Sequence, residues 1–75
     1  MKILPIILRN KDNKIIYHEY EDGYWYRYEY DDNGNELYYE NSEKCWYKQE
    51  FDSNNIRLYY EDNYGDIVDK RKNDI

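Results

Sequence analysis

Displaced by twenty-one residues, this sequence lies on itself without a gap. Trp25-Tyr26 falls on Trp46-Tyr47, Glu29 on Glu50, Tyr30-Asp31 on Phe51-Asp52, Asn33 on Asn54 and Leu37 on Leu58. Tyr17, Tyr38 and Tyr59 form one column, Glu19, Glu40 and Glu61 a second, and Ile16, Leu37 and Leu58 a third. A fixed period of this size marks a repeat array, in which each unit is one supersecondary element that cannot bury its own face. The unit is a hairpin: Tyr24 to Tyr39 holds two aromatic runs of period-two character around Asp-Asp-Asn-Gly, and such alternation around an Asn-Gly pair argues paired strands. Asn13, Gly34 and Asn55 share the position where a type I turn needs a left-handed residue, and Gly23, Lys44 and Gly65 share the position in the opposite turn; glycine and asparagine tolerate φ > 0 most readily.

The expected fold is therefore all-β, a twisted antiparallel meander of about three 21-residue β-hairpin repeats. Strands are expected at residues 2–9, 14–20, 24–30, 36–41, 46–51 and 57–62, with a weak last strand at 66–70 and the charged tail KRKND. Pro5 cannot donate to a ladder, which puts the first strand at an edge. The chain divides as an N-terminal edge strand and cap (1–16), repeat one (17–37), repeat two (38–58) and a partial repeat with the tail (59–75), all in one domain of 1–75. If Tyr30 opposes Asn35 and Asn41 opposes Cys45, then Tyr28 meets Leu37, Tyr26 meets Tyr39 and Tyr39 meets Tyr47. Tyr26, Tyr28, Tyr30, Leu37, Tyr39, Tyr47, Phe51, Leu58 and Tyr60 then share one face, the core side of a curled sheet. Trp25, Arg27, Glu29, Tyr38, Glu40, Trp46, Lys48, Glu50 and Tyr59 share the other. A sheet this small must curl, or pair with a copy of itself or another partner, to cover its apolar side.

Twelve tyrosines stand against one Phe and one Met, so buried area must come from rings whose hydroxyls need partners. A net charge of −6 disfavours direct nucleic-acid binding and favours basic partners, or simply solubility. The lone Cys45 makes no internal disulfide and replaces Tyr24 of the previous unit, so a packed thiol is expected and no oxidising compartment is implied. The apolar start, MKILPIILRN, is too short to span a membrane and lacks a cleavage site. The expected setting is the cytoplasm, without membrane contact.

No catalytic constellation is expected. His18, the only histidine, has no nucleophile at a suggestive spacing and replaces the core-side Tyr39 and Tyr60 of later units. Asp31-Asp32-Asn33-Gly34-Asn35 has the look of a calcium loop but is short and lacks the bidentate Glu, and turn chemistry accounts for each of its residues. The protein is read as a non-enzyme without cofactor or metal. Two features remain as candidate partner-binding sites. One is the aromatic columns, Trp25 and Trp46 with Tyr17, Tyr38 and Tyr59, either cross-strand packing or an interface centre. The other is an acidic ribbon that includes Glu29, Glu40, Glu50, Asp31 and Asp52, either a solvated rim or a surface for a basic partner.

Three resemblances attach to these motifs. Tyr30-Asp31-Asp32-Asn33-Gly34-Asn35 resembles the YDxxGN turn of bacterial Rhs and teneurin-type tyrosine-aspartate repeats, which implies hairpin repeats winding as a continuous sheet. Gly23-Tyr24-Trp25-Tyr26 is similar to the core of choline- and glucan-binding cell-wall repeats, which implies aromatic recognition of carbohydrate or choline through Trp25 and Trp46. The combination YWYR-YEYDDNGNE-YYEN resembles short tyrosine-rich repeat proteins of phages and mobile elements in low-GC bacteria. That likeness implies an inhibitor of a host enzyme, of the anti-defence or anti-CRISPR type, in the host cytoplasm. The net charge of −6 and the acidic ribbon extend the expectation to the basic groove of a nucleic-acid-processing enzyme.

Overall fold

A computed structural model describes residues 3–71. Seven strands follow one another: β1 (Ile6–Arg9), β2 (Ile15–Glu19), β3 (Trp25–Tyr30), β4 (Glu36–Asn41), β5 (Trp46–Phe51), β6 (Arg57–Asp62) and β7 (Ile67–Asp69). They form a single antiparallel sheet whose spatial order is the sequence order. The expected all-β meander is thus the observed fold. Strand β1 begins only after Pro5 and lies at the edge; Lys2 of the expected first strand and Lys72, Asn73 and Asp74 of the tail lie outside the described residues. Among the described residues no helix is long and apolar enough to cross a membrane.

The turns obey the period in backbone geometry as well as in sequence. Positive φ occurs at Asn13 (65°), Gly34 (85°) and Asn55 (65°) at one end of the sheet, and at Gly23 (95°), Lys44 (67°) and Gly65 (88°) at the other. Each turn at the first end is organised by a carbonyl-bearing side chain that accepts two backbone N–H groups, as short polar side chains commonly do in turns. Asn10 Oδ1 accepts from Asp12 and Lys14, Asp31 Oδ1 from Asn33 and Asn35, and Asp52 Oδ1 from Asn54 and Ile56. Asn41 and Asp62 do the same at the opposite end, for Glu43 with Cys45 and for Tyr64 with Asp66.

The register differs from expectation by two residues between β3 and β4: Tyr28 opposes Tyr39 and Tyr26 opposes Asn41. Two slips add up to this. The left-handed turn closes on Asp31 and Asn35, and a β-bulge then lets Glu29 pair with Tyr38 and Tyr30 with Glu36, passing over Leu37. The same irregularity passes over Ile16 in β2 and Leu58 in β6. The apolar column Ile16, Leu37 and Leu58 is therefore the row of bulge residues, a periodic kink rather than a row of ladder partners. Two one-residue slips cancel in sidedness, so the expected division of Tyr and Trp residues between the faces survives.

The expected curled sheet with a core side does not form. The sheet stays open, measuring 55 × 29 × 13 Å, and strands touch only their neighbours in sequence. Among the described residues no hydrophobic side chain is buried, and the one buried residue is the polar Asn41. The physical reason is in the side chains. Tyrosine rings lean on one another along the sheet and keep their hydroxyls at its surface, so closure is not needed to remove part of their area from water. Edge and stacked ring pairs of this kind contribute about 0.5–1.5 kcal/mol each beyond area burial.

Candidate functional site

The two faces have different chemistry. On the first, His18, Tyr20, Tyr24, Tyr26, Tyr28, Tyr30, Tyr39, Tyr47 and Tyr60 form an unbroken field of ring contacts from β2 to β6. Its tightest members are His18 on Tyr20 at 4.1 Å and Tyr28 with Tyr39 at 5.0 Å between centroids. His18 stands where the repeat predicts a tyrosine and its Nδ1 lies 3.3 Å from the Tyr26 hydroxyl. Asn41 Nδ2 donates to the Tyr39 hydroxyl, the Tyr60 hydroxyl donates to Asp62 Oδ2, and the Tyr47 hydroxyl donates to Glu36. These surroundings hold the phenols neutral. Burial pushes Tyr28 up to about 12, and the hydrogen bond with Tyr39 followed by desolvation does the same for Tyr24. Tyr47 is raised as well, first by burial and then by the Glu36 carboxylate.

The second face carries Tyr17, Trp25, Glu29, Tyr38, Glu40, Trp46, Glu50 and Tyr59, as the alternation predicts. The registers set Glu19 opposite Trp25, Glu40 opposite Trp46, Tyr17 opposite Arg27 and Tyr38 opposite Lys48. Tyr17 stacks on Trp25 at 6.2 Å. Its carboxylates face cations of the same face. Arg27 Nε donates to Glu40 at 3.0 Å and Nη1 to Glu29 at 3.2 Å, with the guanidinium 5.0 Å from the Tyr38 ring centroid. Lys48 Nζ lies 3.3 Å from Glu61. Arg71 sits 4.1 Å from the Tyr59 ring centroid and bridges Glu50 and Asp69. Arg71 holds the Asp69 carboxyl down to about 2, and the Tyr59 hydroxyl, aided by Lys48, lowers that of Glu61.

Asp31 and Asp52 are not on this face but in turns at the end of the sheet, where their carboxylates organise backbone. Desolvation would raise the Asp31 carboxyl, but hydrogen bonds from Asn35, Asn33 and Gly34 outweigh it and leave it below its ordinary value. Asp62 belongs to the tyrosine face through its bond with Tyr60. Trp25 and Trp46 sit on strands separated by β4; Trp46 shares its row with Glu40 and Arg27, and Trp25 lies two residues further along β3, about 12 Å away by strand spacing and rise. They do not close into one cage. Each tryptophan is instead tied by its backbone to the turn of the following unit: Trp25 to Ser42 and Trp46 to Asn63, in both directions.

Three residues that matter here carry no obvious sequence signal as site members. Glu36 reaches the tyrosine face only because of the bulge at Leu37. Asn41 and Asp62 could have been found two positions after Tyr39 and Tyr60, where period two returns them to the same face. Cys45 is half-buried with Sγ 3.8 Å from the Tyr64 hydroxyl. Among the described residues no group of three or more His, Cys, Asp or Glu side chains could hold a metal ion. No family model, curated protein or solved structure matches this sequence.

Proposed function

We propose that this is a small acidic binding protein that acts without catalysis on a basic protein partner, and that it blocks a nucleic-acid-processing enzyme in the cytoplasm of a bacterial host. The observation that carries the reading is the uncovered face on which Tyr17, Trp25, Tyr38, Trp46 and Tyr59 alternate with Glu29, Glu40 and Glu50. Trp, Tyr and Arg are the residue types that dominate interface energetics. Carboxylates between them add complementarity to a Lys- or Arg-lined surface and raise the association rate. The flat geometry favours a broad protein surface over a small ligand.

The test is capture of the partner from host lysate, followed by quantitative binding across a salt series. Affinity should weaken between about 50 and about 500 mM salt, as screening of exposed charges requires, and the partner's nucleic acid should be displaced. Trp46→Ala should weaken binding at every salt concentration. Equal binding across the series together with retained nucleic acid overturns the blocking role, and undiminished binding by Trp46→Ala removes the face. Saturable quenching of tryptophan fluorescence by choline or glucan oligomers would instead favour the small-ligand reading.

A further inference from the structure

We propose that two copies of this chain pair through their tyrosine faces, forming a two-layer β-sandwich whose outer surfaces are the Trp/Glu faces. Stable domains are built from at least two packed layers around shared apolar area. This one has a single layer and, among its described residues, no buried hydrophobic side chain. The sheet's plan is 55 × 29 Å, and about half of that footprint matches the ~800 Å² per partner that a standard interface takes.

Three observations choose a second copy as the occupant. First, the face carries charge of both signs. Lys14 over Tyr30 and Arg57 over Tyr60, with Arg9 at the margin, lie towards one end. Glu36 and Asp62 stand among the rings, and Glu21, Asp22, Glu43 and Asp66 lie near His18, Tyr20, Tyr24 and Tyr60 at the end of the sheet away from Lys14. Among the described residues the opposite face sets Glu29, Glu40, Glu50, Glu61 and Asp69 against Arg27, Lys48 and Arg71. A two-fold interface pairs each patch with its own copy, so a face with cations towards one end and carboxylates towards the other can self-associate end to opposite end, where a uniformly acidic one repels. A basic partner, for the same reason, is drawn to the other side. Second, most of the polar atoms are already provided for. The hydroxyls of Tyr24, Tyr26, Tyr39, Tyr47 and Tyr60 have partners within the face, which leaves those of Tyr28 and Tyr30 to be paired across the interface. Third, the surface is a broad field of half-exposed tyrosine rings, a residue type enriched at interfaces. Two such sheets can pack about 10 Å apart with strands nearly aligned.

Sedimentation equilibrium of the full chain tests this. The native protein should have twice the chain mass at about 10 μM, and its melting temperature should rise with protein concentration, as linkage requires. The Lys14→Glu/Arg57→Glu double variant makes the face acidic and removes the cations over Tyr30 and Tyr60 while leaving every ring in place. It should raise the dissociation constant by at least about ten-fold, because like charges then meet across the two-fold axis. Lys11→Glu/Lys70→Glu, matched in charge but placed outside the face, should change it by less than about three-fold, the level of general repulsion. A native chain that stays monomeric to about 200 μM overturns the proposal, since an interface of standard size should hold there. Equal weakening by both double variants, or by neither, also overturns it. If the first variant does not fold, the concentration dependence of the native melt decides alone.

Discussion

The strongest test of the repeat geometry is Asn41, the one buried residue among those described. Its Oδ1 accepts from Glu43 N at 2.9 Å and Cys45 N at 3.2 Å, and its Nδ2 donates to the Tyr39 hydroxyl at 3.0 Å. Asn41→Ala removes all three bonds, each worth about 0.5–1.5 kcal/mol net, and leaves two backbone donors in a site of low water access. The expected loss is about 2–3 kcal/mol. Against the roughly 0.05–0.15 kcal/mol per residue of typical domains, that is a large share of the total. For a chain of this size it lowers the melting temperature by about 10–20 °C. One period later Asp62 performs the same task with reversed polarity: the Tyr60 hydroxyl donates to Oδ2 at 2.8 Å while Oδ1 takes the N–H groups of Tyr64 and Asp66. Asn41→Asp should therefore be tolerated near neutral pH, within about 1 kcal/mol of the parent, because a hydroxyl can donate as readily as it accepts. Both variants are measured by thermal and urea melts at one protein concentration. An alanine variant within about 0.5 kcal/mol of the parent, less than a single hydrogen bond, refutes the turn argument, and an aspartate variant as weak as alanine refutes the equivalence of the repeats.

Lys44 is the only one of the three residues at its turn position that is not glycine, and it holds φ 67°. Lys44→Gly should stabilise by about 0.5–1 kcal/mol, the left-handed penalty less glycine's unfolded-state entropy, and a lower melting temperature would contradict this. Gly34→Val should lose about 1–3 kcal/mol, since φ is 85° and the new Cβ would stand 3.4 Å from Lys14 Cε before the branch is added; a melt within a degree or two of the parent would contradict it. Alkali should unfold the protein cooperatively. Tyr24 and Tyr28 are pushed up to about 12, and Tyr26, Tyr30 and Tyr60 are also raised above the ordinary tyrosine value of about 10. Their contribution is complete below the unfolded value and is lost as pH climbs towards the folded ones. Phenolate absorbance and circular dichroism should change together between about pH 10 and 12, whereas tyrosines that ionise near 10 with the sheet intact would refute a neutral tyrosine layer.

Much of this architecture was legible because strand sidedness depends only on parity. Trp25, Glu29, Tyr38, Glu40, Trp46, Glu50 and Tyr59 reach one face whether the β3–β4 register is taken as expected or as found. What parity hides is a pair of compensating slips. Nothing in Leu37 or Leu58 distinguishes a bulge residue from a paired one, and only its recurrence at Ile16 reveals the column's role. Turn chemistry was read correctly at the left-handed positions. At Asp31 and Asp52 acidity also suggested a partner surface, and the structure shows that these carboxylates hold turns together. The curled core failed as an expectation because the tyrosine hydroxyls find their partners within one open layer, not in an enclosed core. Their bonds to Asn41, Glu36 and Asp62 leave the rings only half-buried, and an open sheet satisfies them.

The placement of charge joins the two proposals. The net charge of −6 suggests a uniformly acidic ribbon, but Arg27, Lys48 and Arg71 already lie against Glu29, Glu40, Glu61, Glu50 and Asp69. Exposed pairs of this kind contribute little to stability. They do hold long side chains over the Tyr38 and Tyr59 rings, so the face is arranged before any partner arrives and less side-chain entropy is lost on binding. A basic partner then meets carboxylates whose cations must be shared or displaced, and the electrostatic gain is smaller than the formal charge implies. The aromatic columns must supply the remainder of the affinity. In a dimer joined through the tyrosine faces, both outer surfaces present this same arrangement, and the carboxylates of Glu29, Glu40 and Glu50 on each copy point away from the other.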